Sequence, residues 1–152
     1  MYDFKQQLHD GQLHENKLDE FFGRWYDIRP ATPAEQRQGI DRHFTNRDTG
    51  RQITIEYKTD HTAGRTGNAF VETISVDTHH KPGWAHTSQA EILIYHIPEP
   101  ETTYAIRLSA LRSQLARWEA KYPKRAIPNK GYRTHGILVP LAEFERIALE
   151  VY

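Results

Sequence analysis

Eight residues, Arg51-Gln-Ile-Thr-Ile-Glu-Tyr-Lys58, read as a strand and organise what surrounds them. Ile53 and Ile55 alternate with Thr54 and Glu56, the period of a strand with one buried face. The same period puts Glu56 and Lys58 on one side of the sheet. Upstream, Ile40–Thr45 reads as a short strand carrying Asp41, and 46–50 as the turn that closes a hairpin. The hairpin therefore brings two acids and a lysine to one sheet.

The flanking elements follow from spacing. Leu18, Phe21, Phe22 and Trp25 form a helical stripe, which predicts a helix over about 12–24 with Glu15 on its inward face. An acid placed there needs a partner. Residues 59–68, polar and carrying Gly64 and Gly67, read as a mobile loop. A third strand is predicted over 69–77, next to the hairpin in the sheet. Thr87 or Ser88 is the expected cap of a short helical turn, and Ile92–Ile97 is a continuous apolar run suited to a buried strand. After Pro98 and Pro100, a strand over 103–108 leads to a helix capped by Ser109 and ended by Pro123. A last strand over 136–140 and a helix over 141–149 complete one mixed β-sheet flanked by helices, a single α/β domain spanning 1–152.

At 152 residues the chain is long enough for one proper core. No apolar run approaches the roughly 18–20 residues that cross a bilayer, and no secretory pattern opens it, so a cytoplasmic protein with no membrane partner is expected. Without cysteine, disulfides and thiolate metal sites are excluded. The formal net charge of zero conceals an asymmetry. Between Ala105 and Arg133 stand Arg107, Arg112, Arg117, Lys121, Lys124, Arg125, Lys130 and Arg133 against Glu119 alone, so that segment is +7 and the remainder −7. A basic region beside an acidic one suits phosphate binding next to a carboxylate site. A solvated helix face with a charged loop is the plainer reading.

Asp41 and Glu56 are hard oxygen ligands of the kind Mg²⁺ prefers, and the backbone carbonyl of Tyr57 offers a third oxygen. Lys58, on the face of Glu56, is placed to orient an attacking water and to offset charge on a phosphate. Gly39-Ile-Asp41 followed by Ile-Glu56-Tyr-Lys58 resembles the signature of the PD-(D/E)XK, or restriction-endonuclease-like, nucleases, although Ile40 stands where the eponymous proline would be. Glu15 is similar to the helical glutamate of archaeal Holliday-junction resolvases, and 83–95 looks like a stretch of small phage and bacterial nucleases. The resemblance implies a restriction-endonuclease-like fold and a metal-dependent DNA endonuclease. It further implies Mg²⁺ or Mn²⁺ as cofactor, Glu15, Asp41, Glu56 and Tyr57 at the metal, and catalysis by Asp41, Glu56 and Lys58. Structure-selective cleavage in repair, recombination or phage defence, and a homodimer, are the implied setting. The alternative is a catalytically silent nucleic-acid-binding or accessory protein with a nuclease fold.

Three residues are accessory candidates: Glu72 on the third strand, Gln36 ahead of Asp41, and Gln89 after the cap. The expected DNA contacts are Arg65, Arg112, Arg117, Lys121, Lys124, Arg125, Lys130 and Arg133, with Trp84 and Tyr132 as aromatics able to stack on bases. Zinc is disfavoured, since His79, His80 and His86 lack structural-zinc spacing. Gly64-Arg-Thr-Gly67 lacks the pattern of a phosphate loop.

Overall fold

The alternating stretch forms β3 (Gln52–Thr59), and two different neighbours flank it in the computed structural model, which describes residues 4–152 without the side chains of Phe4 and Gln7. Ahead of it come α1 (Phe4–Phe22), β1 (Tyr26–Pro30), α2 (Pro33–Arg37) and β2 (Arg42–Asn46). The chain then makes α3 (Ala63–Thr66), β4 (Asn68–Val76), a 3-10 turn, β5 (Lys81–Pro82) and α4 (Trp84–Thr87). β6 (Ile92–Pro98), β7 (Glu101–Arg107), α5 (Leu108–Lys121), β8 (Lys124–Pro128), β9 (Arg133–Pro140), α6 (Leu141–Ile147) and β10 (Glu150–Val151) follow. It is a single α/β domain with a mixed sheet and flanking helices.

The sheet expectation is corrected in one respect: there are two sheets. The first has the order β1-β2-β3-β6-β7-β10 and is mixed, because β3 pairs antiparallel with β2 and parallel with β6. The second has the order β5-β4-β9-β8. Thus β4, expected beside the hairpin, instead pairs with β9 from far along the chain. Alternation locates a strand but not its partner. A parallel neighbour cannot be reached by a tight turn, and the second sheet lies partly within the excursion from Thr59 to Ile92.

The apolar residues sort into two clusters. Leu18 and Phe22 of α1 pack on Phe44, Ile55, Tyr57 and Ile94 on one face of the mixed sheet. Leu93, Tyr95, Ile97, Val71, Ile137, Trp118 and Phe144 make the larger cluster between the sheets and the C-terminal helices. Trp25 falls outside α1 and is exposed, so the helical stripe ends at Phe22. The stretch expected as a mobile loop contains α3, pinned by the Asp60 carboxylate, which accepts the N–H groups of Thr62 and Ala63 at 2.9 Å each. Ser88 closes α4 at its C-terminal end rather than capping its start, which Gly83 does, and Arg107 rather than Ser109 precedes α5. Among the described residues, no helix is long and apolar enough to cross a membrane.

Candidate active site

The site begins where two strands part. The β2–β3 ladder runs only as far as the pair Arg42 and Ile55, with the Asp41 N–H donating to the Ile55 carbonyl at 2.8 Å. Beyond it β3 continues to Thr59 paired with β6 alone. The next outward N–H of β3, that of Tyr57, donates to Oδ2 of Asp41 at 2.8 Å. A side chain thus replaces the missing strand, and Asp41, just before β2 rather than within it, stands against β3 at the level of Glu56 and Lys58. Its second oxygen, Oδ1, lies outside that bond. For Tyr57, it is the N–H and not the carbonyl whose bond defines the site.

Glu56 and Lys58 share a side of β3, as the period of two requires: Nζ of Lys58 lies 3.3 Å from Oε1 of Glu56. The two differ in burial, since the Glu56 side chain is 5 % exposed and that of Lys58 37 %. Oε2 of Glu56 is buried without a hydrogen-bond partner. The Ser88 hydroxyl is close, but its proton goes to the Gly39 carbonyl at 3.0 Å. Burial pushes the Glu56 carboxyl above its usual value; Lys58 pulls it back, and the charge of Asp41 adds to the rise. Gly39 is held by its conformation as well as its contacts: its φ is +83°, and a Cβ there would meet Oγ of Ser88 at 2.8 Å.

Glu15 reaches the same region from α1. Its partner is Arg42, at 3.4 Å, and Arg42 also binds Asp19 at 3.0 Å. Burial, then Asp41, raise the Glu15 carboxyl against the pull of Arg42. Asp19 also accepts the Tyr57 hydroxyl at 2.8 Å, and the Arg42 guanidinium lies 5.3 Å from the Tyr57 ring centroid. Asp19 is one helical turn beyond Glu15, so the i, i+4 spacing could have revealed it. Among the described residues, no three His, Asp or Glu side chains stand grouped to hold one ion. What the geometry offers is a pair of carboxylates, Asp41 and Glu56, with Lys58 beside them and Glu15 held off by Arg42.

The accessory candidates scatter. Glu72 stands on the second sheet, where its carboxylate accepts the Trp84 N–H at 3.0 Å; Lys58 in turn lies 5.9 Å over the Trp84 ring. Gln36 turns back toward the Ala31 carbonyl at 3.5 Å. Gln89 is exposed, and its backbone N–H binds the Gln38 carbonyl at 2.8 Å. The basic segment divides too. Arg112 donates to the carbonyls of Ala85 and Ser88, and Arg117 pairs with the buried Glu143 at 2.6 Å, so both hold elements together. Lys121 lies 5.5 Å from the Tyr122 ring centroid. Arg65, Lys124, Arg125, Lys130 and Arg133 are exposed.

Sequence reasoning missed three imidazoles near Lys58. The His14 ring lies 5.0 Å from that of His61 and 5.8 Å from that of His96, and Nδ1 of His14 is buried without a hydrogen-bond partner among the described residues. Burial, followed by the charge of His61 on His14 and of His14 on His96, keeps both below the ordinary imidazole value. The register that pairs His96 with Thr59 brings two of them to one strand end, a relation legible only once the parallel pairing is known.

Lys58 borders two clefts. One, of about 460 Å³, is walled by α1 and β3 through Gly11, His14, Glu15 and Tyr57. The other, of about 450 Å³, opens toward the second sheet. No family model, curated protein or solved structure matches this chain.

Proposed function

We propose that this protein is a metal-dependent DNA endonuclease that hydrolyses phosphodiester bonds at Asp41, Glu56 and Lys58. The observation that carries the reading is Oε2 of Glu56, a buried carboxylate oxygen with no protein partner, beside Asp41 and a lysine that solvent can reach. A buried acid raised by its own burial and by a second acid is the environment that a cation relieves. Two carboxylate donors are sufficient for Mg²⁺ or Mn²⁺, which keeps several waters and draws its remaining oxygens from phosphate.

A cation held by Asp41 and Glu56 would supply Lewis-acid polarisation of the phosphodiester. The residues do the rest. Lys58 presents its ammonium to a phosphate oxygen and holds the attacking water by hydrogen bonding. Asp41 keeps β3 in place through the Tyr57 N–H. Glu15, which feels the charge of Asp41 and pairs with Arg42 at 3.4 Å, supports the pair from α1. The order of α1, a three-stranded antiparallel meander and a returning parallel strand also suits a restriction-endonuclease-like core. Arg125, exposed and lining a cleft that Lys58 borders, and Lys124 beside it would meet the phosphate backbone.

The test is cleavage of supercoiled, single-stranded and branched DNA with Mg²⁺ or Mn²⁺ by wild type, Asp41→Ala and Lys58→Ala. Metal-dependent cutting by wild type alone is expected; no cutting of any of these substrates would sink the reading. A binding protein without turnover is the second reading, favoured by the Glu56–Lys58 ion pair, which leaves each group already partnered on one side. That protein would bind DNA equally well with chelator or with metal.

A further inference from the structure

The cleft on the far side of Lys58 joins apolar and aromatic walls to two cations. It measures about 450 Å³, within the roughly 300–1,000 Å³ of small-ligand pockets. Trp84, Phe70 and Leu138 supply apolar surface, Lys58 and Arg125 positive charge, and Asp60 and Glu72 carboxylates that are taken up by hydrogen bonds within the protein. Its floor is rigid. Asp60 accepts N–H groups from Thr62 and Ala63, a third from Phe70 at 3.3 Å, and the hydroxyl of Tyr95.

The main chain at Trp84 is held from three directions. Its backbone N–H donates to the Glu72 carboxylate at 3.0 Å, and Gly83 before it lies so near β4 that a Cβ would meet the Glu72 carbonyl oxygen at 2.5 Å. Arg112 fastens the helix that carries it through the Ala85 and Ser88 carbonyls. The indole is only half-buried and borders the lysine of the candidate site. Arg125, across the cleft on β8, makes no ion pair among the described residues.

A half-exposed indole on a fastened backbone, beside the lysine assigned above to the phosphate, is a stacking platform for a base. A duplex is far too wide for a cavity of this size, and its bases are already stacked and paired. A base reaches such a pocket only by leaving the helix, at a cost of a few kcal/mol that vanishes when it is already unpaired. Resting on the nuclease reading for the position of the phosphate, we propose that the cleft receives one unpaired nucleotide of a DNA strand. Its base stacks on Trp84, its adjoining phosphate meets Lys58, and the next phosphate meets Arg125. The substrate class is then single-stranded or branched DNA with an unpaired residue beside the bond that is cut.

The experiment measures binding in chelator, where no cleavage occurs. A fluorescein-labelled oligothymidylate and a blunt duplex of equal length are titrated with wild type, Trp84→Phe and Trp84→Ala, each checked for folding by circular dichroism. Wild type is expected to favour the single strand at least tenfold, Trp84→Ala to lose about tenfold in that affinity, and Trp84→Phe to keep most of it. A second readout needs no loss of the indole. In Trp25→Phe protein, Trp84 is the remaining partly exposed tryptophan, since Trp118 is fully buried, and its emission should be quenched at saturating oligothymidylate. Equal affinity for both DNAs, a folded Trp84→Ala that binds as wild type does, or unchanged emission would each overturn the assignment. The two claims fail separately. Trp84-dependent strand binding without cleavage in metal removes the nuclease and keeps the cleft; metal-dependent cutting indifferent to Trp84 does the reverse.

Discussion

Oδ2 of Asp41 accepts the N–H of Tyr57 at 2.8 Å, where the next bond of the β2–β3 ladder would otherwise lie. One carboxylate therefore serves both the strand and the proposed metal site. Asp41→Asn keeps an acceptor for the N–H, whereas Asp41→Ala leaves it buried and unsatisfied, a loss of about 1–3 kcal/mol. Urea denaturation should rank wild type and Asp41→Asn close together with Asp41→Ala below them, while both variants lose metal-dependent cleavage. Equal stability of Asn and Ala variants would show that the bond does not support the strand.

Glu56 should lower the stability of the metal-free protein. Its folded carboxyl sits above the usual value through burial. Stability from that shift is present below the unfolded value and is lost as pH rises through the folded one. Glu56→Gln is thus expected to melt higher than wild type at pH 7.5 without metal, by about 2–4 °C if the gain is near 1 kcal/mol. The difference should shrink as pH falls toward 4. Millimolar Mg²⁺ or Mn²⁺ should raise the melting temperature of wild type and not of Glu56→Gln.

Glu143 should behave in the opposite way. Burial would raise it, yet Arg146, Arg117, Trp118 and Tyr122 all donate to it and hold it down to about 2. The stability it contributes is present above the ordinary glutamate value and fades as pH falls toward 2. Because both guanidinium groups are partly exposed, Glu143→Ala should cost roughly 2 kcal/mol at pH 7, less than a fully buried pair. Urea midpoints of variant and wild type should converge between pH 4 and 2; a constant gap would refute the ionic account.

The arginines of the basic segment should divide by role. Arg112→Ala removes the donor to the Ala85 and Ser88 carbonyls and should lower thermal stability. Arg125→Ala should leave stability near wild type while weakening DNA binding, with the slope of log affinity against log salt falling by about one. Melting curves and salt titrations on the same two proteins decide it.

Much of this was readable in advance for the same physical reason: period. Alternation placed Glu56 and Lys58 on one side of β3, and the i, i+3, i+4 spacing placed Leu18 and Phe22 against it with Glu15 close by. What period cannot carry is pairing between distant segments. Nothing local to 69–77 says that its neighbour is β9 rather than the hairpin, or that Ile92–Ile97 returns parallel to β3. Arg112 and Arg117 show the same limit, because charge alone does not distinguish an arginine facing solvent from one bound to a carbonyl or to Glu143. His14, His61 and His96 become a group only after that long-range pairing.

The parallel pairing of β3 and β6 also has a genetic consequence. A chain that must run parallel to itself has to leave the sheet after Thr59 and return at Ile92, and along the way it lays down β4, β5 and the turn that carries Trp84. The detour demanded by connectivity therefore furnishes the surroundings of Lys58 while Asp41, Glu56 and Lys58 lie outside it. Changing the stretch from 60 to 84 would recast what approaches the lysine, whereas changes at Ser88 would reach Gly39 and Glu56 as well.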